Sequence, residues 1–141
     1  MSCVLRARGV EFAVDTFLSN STLKPVAVFR KGHPRYPEIK PEGPKLDASG
    51  LHIVVSEADF SMLQAQIADA VEFLDRNRAE LSHLKTFPGI DKISLDFGIE
   101  EREVAAQSER FPPKLLSLLG ELGFWLEFTL YPAHETETSK C

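Results

Sequence analysis

The sequence has few cysteines and no long run of apolar residues. Its two cysteines, Cys3 and Cys141, lie near opposite ends of the chain, and no Cys-x-x-Cys pair occurs. This spacing matches neither the framework of a disulfide-rich domain nor the ligand spacing of a structural zinc site. Cys3 alternates with apolar neighbours and is predicted to be a small buried residue. No apolar stretch of about 18 residues is present, so we expect no membrane-spanning helix.

Patterns that carry catalytic or metal chemistry are also missing. The four histidines are scattered along the chain, and no two of them have the i, i+4 spacing of a helical metal site. A cysteine–histidine nucleophile is unsupported, because one cysteine is predicted to point inward and the other ends a polar tail. The sequence therefore predicts no metal, no cofactor and no catalytic residue. The histidines are His33, His52, His83 and His134.

The charge balance is acidic, with a formal net charge of -5 and a pI near 5.4. A general nucleic-acid binder has a basic surface, and an acidic surface repels anionic lipid, so neither nucleic acid nor membrane is an expected partner. The start of the sequence lacks a charged and then apolar leader, which makes a cytoplasmic location the default expectation. A length of 141 residues fits one domain.

Hydrophobic periodicity predicts five strands and three helices. The long helix is expected to begin with a capping box at Ser56 and Asp59 and to break near Asn77. In the last strand, Phe124, Leu126, Phe128 and Leu130 are expected to point inward. The predicted order is strand 2–8, helix 12–18, strand 26–29, strand 51–55, the long helix, strand 93–99, a helix that begins at Pro112 and Pro113 and ends at Gly123, and strand 124–131.

This order predicts an α+β fold. Strands whose apolar residues share one face need helices on that face only. We therefore expect a ferredoxin-like two-layer sandwich, with an antiparallel or mixed sheet of about five strands and helices on one face. Residues 1–132 would form the single domain, and residues 133–141 a mobile polar tail.

Four segments of the sequence resemble an uncharacterised, mainly bacterial family called domain of unknown function 4279. They are "RKGHPR", "LHIVVSE", "AQIADAVEFLDRNRAELSHL" and "LLSLLGELGFWLEFTLYP". The chain departs from the family in having His33 where an acidic residue is usual, and "LHIVV" where a tryptophan is usual. The resemblance implies an α+β fold and supplies no catalytic residues.

The basic stretch 29–45 allows two interpretations. Arg30, Lys31, His33 and Arg35 surround Gly32, and guanidinium forks beside a glycine suit the capture of phosphate or carboxylate. The spacing is not that of a P-loop, because His33 and a proline follow the glycine. The alternative is a soluble connection between two strands that its prolines stiffen.

The sheet face opposite the predicted helices is the second candidate site. Trp125 and Tyr131 belong to residue types enriched at protein interfaces, and Arg6 and Arg8 would lie beside them. Opposite charges on this face could equally pair across strands. Asp96 and Glu127 form an acid–base pair only if burial drives their pKa values apart. The remaining residues predicted on this face are Lys92, Ser94 and Thr129.

These observations favour a non-enzymatic binding domain of the immunity or accessory type. Its expected partner is another protein or a second copy of the chain, as in a homodimer. The alternative is a small-anion binding protein or enzyme built on residues 30–35.

Overall fold

The computed structural model describes residues 1–133. Of the predicted tail, 133–141, only Ala133 is among the described residues. His134 and Cys141 therefore lie outside them. The described chain is α+β and has four helices. Its elements in order are β1 (Cys3–Gly9), α1 (Val14–Ser19), β2 (Ala27–Phe29), β3 (Pro34–Tyr36), β4 (Lys40–Lys45), β5 (Ser49–Ser56), α2 (Leu63–Arg76), α3 (Arg78–Thr86), β6 (Lys92–Glu100), α4 (Pro113–Leu122) and β7 (Trp125–Tyr131).

Five of the seven strands form a mixed sheet in the order β2-β5-β1-β6-β7, which confirms the predicted number of strands in the sheet. β1 pairs antiparallel with both β5 and β6, and β2 pairs antiparallel with β5. β7 is parallel to β6, since α4 carries the chain back to the same end of the sheet. Both β2 and β7 are edge strands among the described residues.

The hydrophobic core lies between one face of the sheet and the helices. Leu5 on β1, Ile53 on β5 and Leu95 on β6 are at most 4% exposed and belong to the same buried cluster as Leu74 on α2 and Leu118 on α4. Cys3 joins this cluster as a free thiol and is fully buried, as predicted. We call the opposite side of the sheet the outer face.

The predicted long helix is two helices, and its start was predicted wrongly. It breaks at Asn77, as expected, where the side-chain amide donates to the carbonyl of Phe73 at 2.9 Å. Ser56, however, is the last residue of β5, and α2 begins seven positions later at Leu63. The Ser56 hydroxyl accepts from the amide of Ala58 at 3.1 Å and so stabilises a turn, not a helix N-terminus.

The stretch 29–45 contains a hairpin that the sequence did not predict. β3 and β4 pair antiparallel, in a two-stranded sheet of their own. The amide of Gly32, which has a φ of 86°, donates to the carbonyl of Leu46, and the amide of Leu46 donates to His33. Four prolines obscure the alternation that marks a strand, which explains the omission.

The predicted inward side of β7 is correct only at its start. Phe124 is 7% exposed and Leu126 is half-buried, whereas Phe128 and Leu130 are 54% and 51% exposed. β7 is an edge strand, and these two exposed side chains lie in its second half. Within residues 1–133, no helix is long and apolar enough to cross a membrane.

Candidate functional site

A buried carboxylate organises the middle of the outer face. Asp96 on β6 is 5% exposed, and its carboxylate accepts a hydrogen bond from the Arg6 guanidinium on β1. The hydroxyl of Thr129 on β7 donates to the two Asp96 oxygens at 2.9 and 3.1 Å. The register explains the meeting, since β6 lies between β1 and β7. This ion pair links three strands and neutralises both charges.

An open cavity of about 420 Å³ lies at the end of the outer face where β6 begins. Four cationic residues line it from three strands: Arg6 and Arg8 from β1, Arg35 from β3 and Lys92 from β6. Two carboxylates, Asp47 and Glu127, also line it, so cations outnumber acids at its wall. The other lining residues are Ala7, Phe29, Leu46, Ala48, Ser49, Gly50, His52 and Ser94.

The cations of this cavity differ in how firmly they are held. Arg6 is paired with Asp96, and Arg8 lies 3.7 Å from the largely exposed Asp47 carboxylate. Lys92 lies 5.3 Å from the centroid of the Trp125 ring, a cation–π distance. Guanidinium and ammonium groups in this arrangement favour a small anion over a cation.

His52, half-buried in the same wall, responds to this positive environment. Burial lowers its pKa, and the charge of Arg6 lowers it further. Its ring packs edge-on against Phe29, with the centroids 4.7 Å apart. Both effects disfavour the charged imidazolium, and arginine and lysine are the other basic residues that line the cavity.

The hairpin divides the predicted basic cluster. Arg30 forms two 2.9 Å hydrogen bonds with Asp15 on α1, which lower the pKa of that carboxyl. Lys31 lies 3.4 Å from Glu11. These two residues and His33 line a shallow depression beside α1, while Arg35 points into the outer-face cavity. The structure thus brings Arg35 to Arg6 and Arg8 and separates it from Arg30 and Lys31.

The two aromatic residues predicted for partner binding lie on the outer face of β7, at opposite ends. Trp125 is 64% exposed beside Lys92, and Tyr131 is 40% exposed. The Tyr131 ring stacks on Phe60, with the centroids 4.8 Å apart. Phe60 in turn covers Gly98, where an added Cβ would lie 2.4 Å from its ring. Trp125 is therefore the more accessible of the two.

The other side of β7 carries an apolar surface that the sequence did not reveal as a site. Phe128 and Leu130 line a cavity of about 330 Å³ with the segment 101–111, from which Val104 and Phe111 contribute. The Phe111 and Phe128 rings stack at 6.3 Å. Gln107 holds this segment in place by donating to the carbonyl of Glu100 at 3.0 Å and accepting from Arg102 at 2.9 Å. Apolar alternation in the strand resembled a core face, so the signal was present but pointed to burial.

The arrangement gives little support for acid–base or thiol chemistry. The Asp96 carboxylate is committed to Arg6 and Thr129, while Glu127 is exposed. Burial raises the pKa of the Cys3 thiol far above its ordinary value, and the charges of Asp96 and Asp69 raise it further. Among residues 1–133, no group of three histidine, cysteine or carboxylate side chains could hold a metal ion.

Comparisons of the chain with protein-family models, with curated proteins and with solved structures found no match. The resemblance to domain of unknown function 4279 therefore stays a prediction.

Proposed function

We propose that the chain is a non-enzymatic protein-interaction domain of the immunity or accessory type, with its contact surface built around β7. One observation carries this proposal: β7 leaves four large apolar side chains between 40% and 64% exposed on a strand at the edge of the sheet. Two of them lie on each face of this one strand, and exposed apolar surface of this kind supports an interaction site. The four are Trp125, Phe128, Leu130 and Tyr131.

The outer-face part of this surface has the composition of an interface. Trp125 supplies a rigid aromatic anchor, and Lys92 and Glu127 lie beside it as charged neighbours. Arg6 and Arg8, predicted to contact the partner, are paired with Asp96 and Asp47 and contribute orientation more than free charge.

A photo-crosslinking experiment tests this function. A benzophenone amino acid replaces Trp125, and in a control chain it replaces Leu116, a 47% exposed leucine on α4. In the cells from which the chain comes, we expect a discrete adduct from position 125 and none from position 116. Failure of position 125 to form any adduct, including one with another copy of the chain, would contradict the proposal.

A second candidate function rests on the outer-face cavity. Arg6, Arg8, Arg35 and Lys92 converge there from three strands, which supports binding of a small phosphate or carboxylate compound. Of the four basic-loop residues predicted to bind an anion, this proposal includes Arg35 and leaves out Arg30, Lys31 and His33. Thermal unfolding in the presence of pyrophosphate or citrate tests it, since a ligand at about 100 times its dissociation constant stabilises by about 2.7 kcal/mol.

The finer description of the fold belongs to the same proposal. Helices on one face and polar groups on the other support a two-layer sandwich. The ferredoxin-like topology stays a prediction, because the order β2-β5-β1-β6-β7 joins an antiparallel core to a parallel edge strand. Membership of the resembled family and a cytoplasmic location also stay predictions.

A further inference from the structure

The sequence of β7 is complementary to itself about Phe128. In the segment WLEFTLY, Trp125 and Tyr131 are equidistant from Phe128, as are Leu126 and Leu130. If a second copy of this strand ran antiparallel with its Phe128 opposite the first, the two aromatic residues would meet on the outer face. The leucines would meet on the inner face, and Glu127 would lie opposite the neutral Thr129.

The backbone of β7 supports the same register. The carbonyl of Tyr131 accepts from the amide of Glu101 at 2.8 Å, so Tyr131 directs its backbone groups toward β6. Successive residues of a strand alternate in this direction. The amides and carbonyls of Leu126, Phe128 and Leu130 therefore point to the free edge. These are the groups that hydrogen-bond when Phe128 lies on the axis.

Neighbouring registers are poorer. A shift of the two-fold axis to Glu127 places two carboxylates directly opposite each other, which destabilises a strand pair. It also leaves the backbone groups of Leu130 without a partner. A shift to Thr129 leaves those of Leu126 without a partner. A change of one residue in the pairing register places the axis between two residues. The outer face of one sheet would then adjoin the inner face of the other.

The two edges of the sheet differ in how well they are protected. β2 has three residues, follows Lys24 and Pro25, and is succeeded by Arg30 and Lys31. Short strands, prolines and lysines discourage edge pairing. β7 has seven residues and contains no proline, lysine or arginine. Among residues 1–133, this protection is concentrated at the β2 edge, and β7 carries only the single charge of Glu127.

We propose that a second copy of this chain pairs with β7, antiparallel about a two-fold axis at Phe128, and joins two five-stranded sheets into one. This inference rests on the proposed function, since it names the partner of the surface assigned there. Trp125 of each copy then lies beside Tyr131 of the other. A second copy fits this surface because β7 is complementary to itself. Each aromatic residue lies opposite an aromatic residue, each leucine opposite a leucine, and Glu127 opposite a neutral residue.

Sedimentation and intrinsic fluorescence test the pairing. Trp125 is the sole tryptophan, so its emission should shift to shorter wavelength as the concentration rises and the dimer forms. Phe128→Lys and Leu130→Lys place a charge at the paired edge and should weaken the dimer by about tenfold or more while leaving circular dichroism unchanged. Leu116→Lys, which introduces the same charge on α4, should dimerise like the unmodified chain.

Single cysteines test the register, with Cys141→Ser as the background and Cys3 left in the core. A short bifunctional thiol reagent should link Phe128→Cys to itself. It should not link Leu126→Cys or Leu130→Cys alone, but should link the chain that carries both changes. The proposal is overturned if the chain stays monomeric at high micromolar concentration, if the lysine variants dimerise normally, or if Leu126→Cys alone is linked as readily as Phe128→Cys.

The outcomes separate this inference from the proposed function. A monomeric chain that still forms a benzophenone adduct with a different protein at position 125 overturns self-pairing and leaves the interaction function standing. A monomeric chain with no adduct overturns both. A dimer that the lysine variants dissociate, and whose adduct at position 125 is a second copy, supports both.

Discussion

The guanidinium of Arg6 on β1 is paired with the carboxylate of Asp96 on β6, on the outer face of the sheet. Asp96 is almost fully buried, while more than a third of the Arg6 side chain is exposed. Thr129 closes the arrangement from β7. A carboxylate buried to this extent depends on its partners, because transferring an unpaired charge out of water is costly. The outer face is therefore a structural element as well as a candidate site.

Replacing the carboxylate should reveal this dependence. Asp96→Asn removes a charge-assisted hydrogen bond and should lower the free energy of unfolding by about 1.5–3 kcal/mol. Thr129→Val, which removes only the hydroxyl, should cost about 1 kcal/mol. Urea unfolding of each variant measures both values. Asp47→Asn serves as the control, because its partner Arg8 is exposed and such pairs contribute at most about 1 kcal/mol. Equal losses in Asp96→Asn and Asp47→Asn would show that burial of the pair has no energetic role.

The lowered pKa of His52 predicts a pH dependence of stability. The unfolded chain binds a proton near the ordinary value of 6.5, whereas the folded chain binds it only at lower pH. Between the two values the unfolded state carries more protons, so the free energy of unfolding rises with pH. The contribution is complete above 6.5 and is lost as the pH falls through the folded pKa. Urea unfolding between pH 5 and 8 measures this dependence. The free energy of unfolding should change less steeply with pH for His52→Phe than for the unmodified chain.

Nuclear magnetic resonance titration of the imidazole checks the cause directly. Arg6→Met removes the charge that lowers the His52 pKa and should raise that pKa toward 6.5, while the part due to burial remains. A His52 pKa at or above 6.5 in the unmodified chain would show that neither burial nor Arg6 acts on it.

Much of the fold could be predicted because the core follows hydrophobic periodicity. Ile93, Leu95, Phe97 and Ile99 alternate along β6 and are all at most 2% exposed. The end of α4 at Gly123 was also predicted correctly, because glycine often follows the last turn of a helix. Gly123 adopts a φ of 76°, which favours glycine. The five strands of the main sheet and the break at Asn77 follow from the same local rules.

Other features could not be predicted, because they depend on contacts between distant segments. Whether Leu130 is covered depends on its packing against segments that are distant in the sequence, and its alternation with polar residues is the same in either case. Arg35 and Arg8 line one cavity because Arg35 lies on β3 of the unpredicted hairpin. Ser56 was assigned to a helix because its side chain suits a turn and a helix cap equally well.

Two glycines predict opposite effects of the same substitution. A Cβ at Gly9 would lie 1.8 Å from the carbonyl oxygen of Gly89, and this is backbone that cannot rotate away. Gly9→Ala should therefore cost about 1–3 kcal/mol or more by forcing the two segments apart. Gly120, on α4, has open space around its Cβ position, and Gly120→Ala should stabilise by about 0.5–1 kcal/mol. Thermal unfolding measures both changes, and stabilisation by Gly9→Ala would contradict the close approach.

The division of the basic stretch yields a prediction that separates its two halves. Arg35 lines the outer-face cavity, whereas Arg30 is held by Asp15. Binding of a small anion in the cavity should therefore depend on Arg35 and not on Arg30. With pyrophosphate as the probe, calorimetry should show weaker binding by about tenfold or more in Arg35→Gln, because loss of a charge-assisted hydrogen bond costs about 1.5–3 kcal/mol. Lys92→Gln should weaken binding in the same direction. Arg30→Gln is the matched control and should bind like the unmodified chain. Equal loss in Arg30→Gln and Arg35→Gln would place the anion at the connection between β2 and β3, where the sequence alone had suggested it.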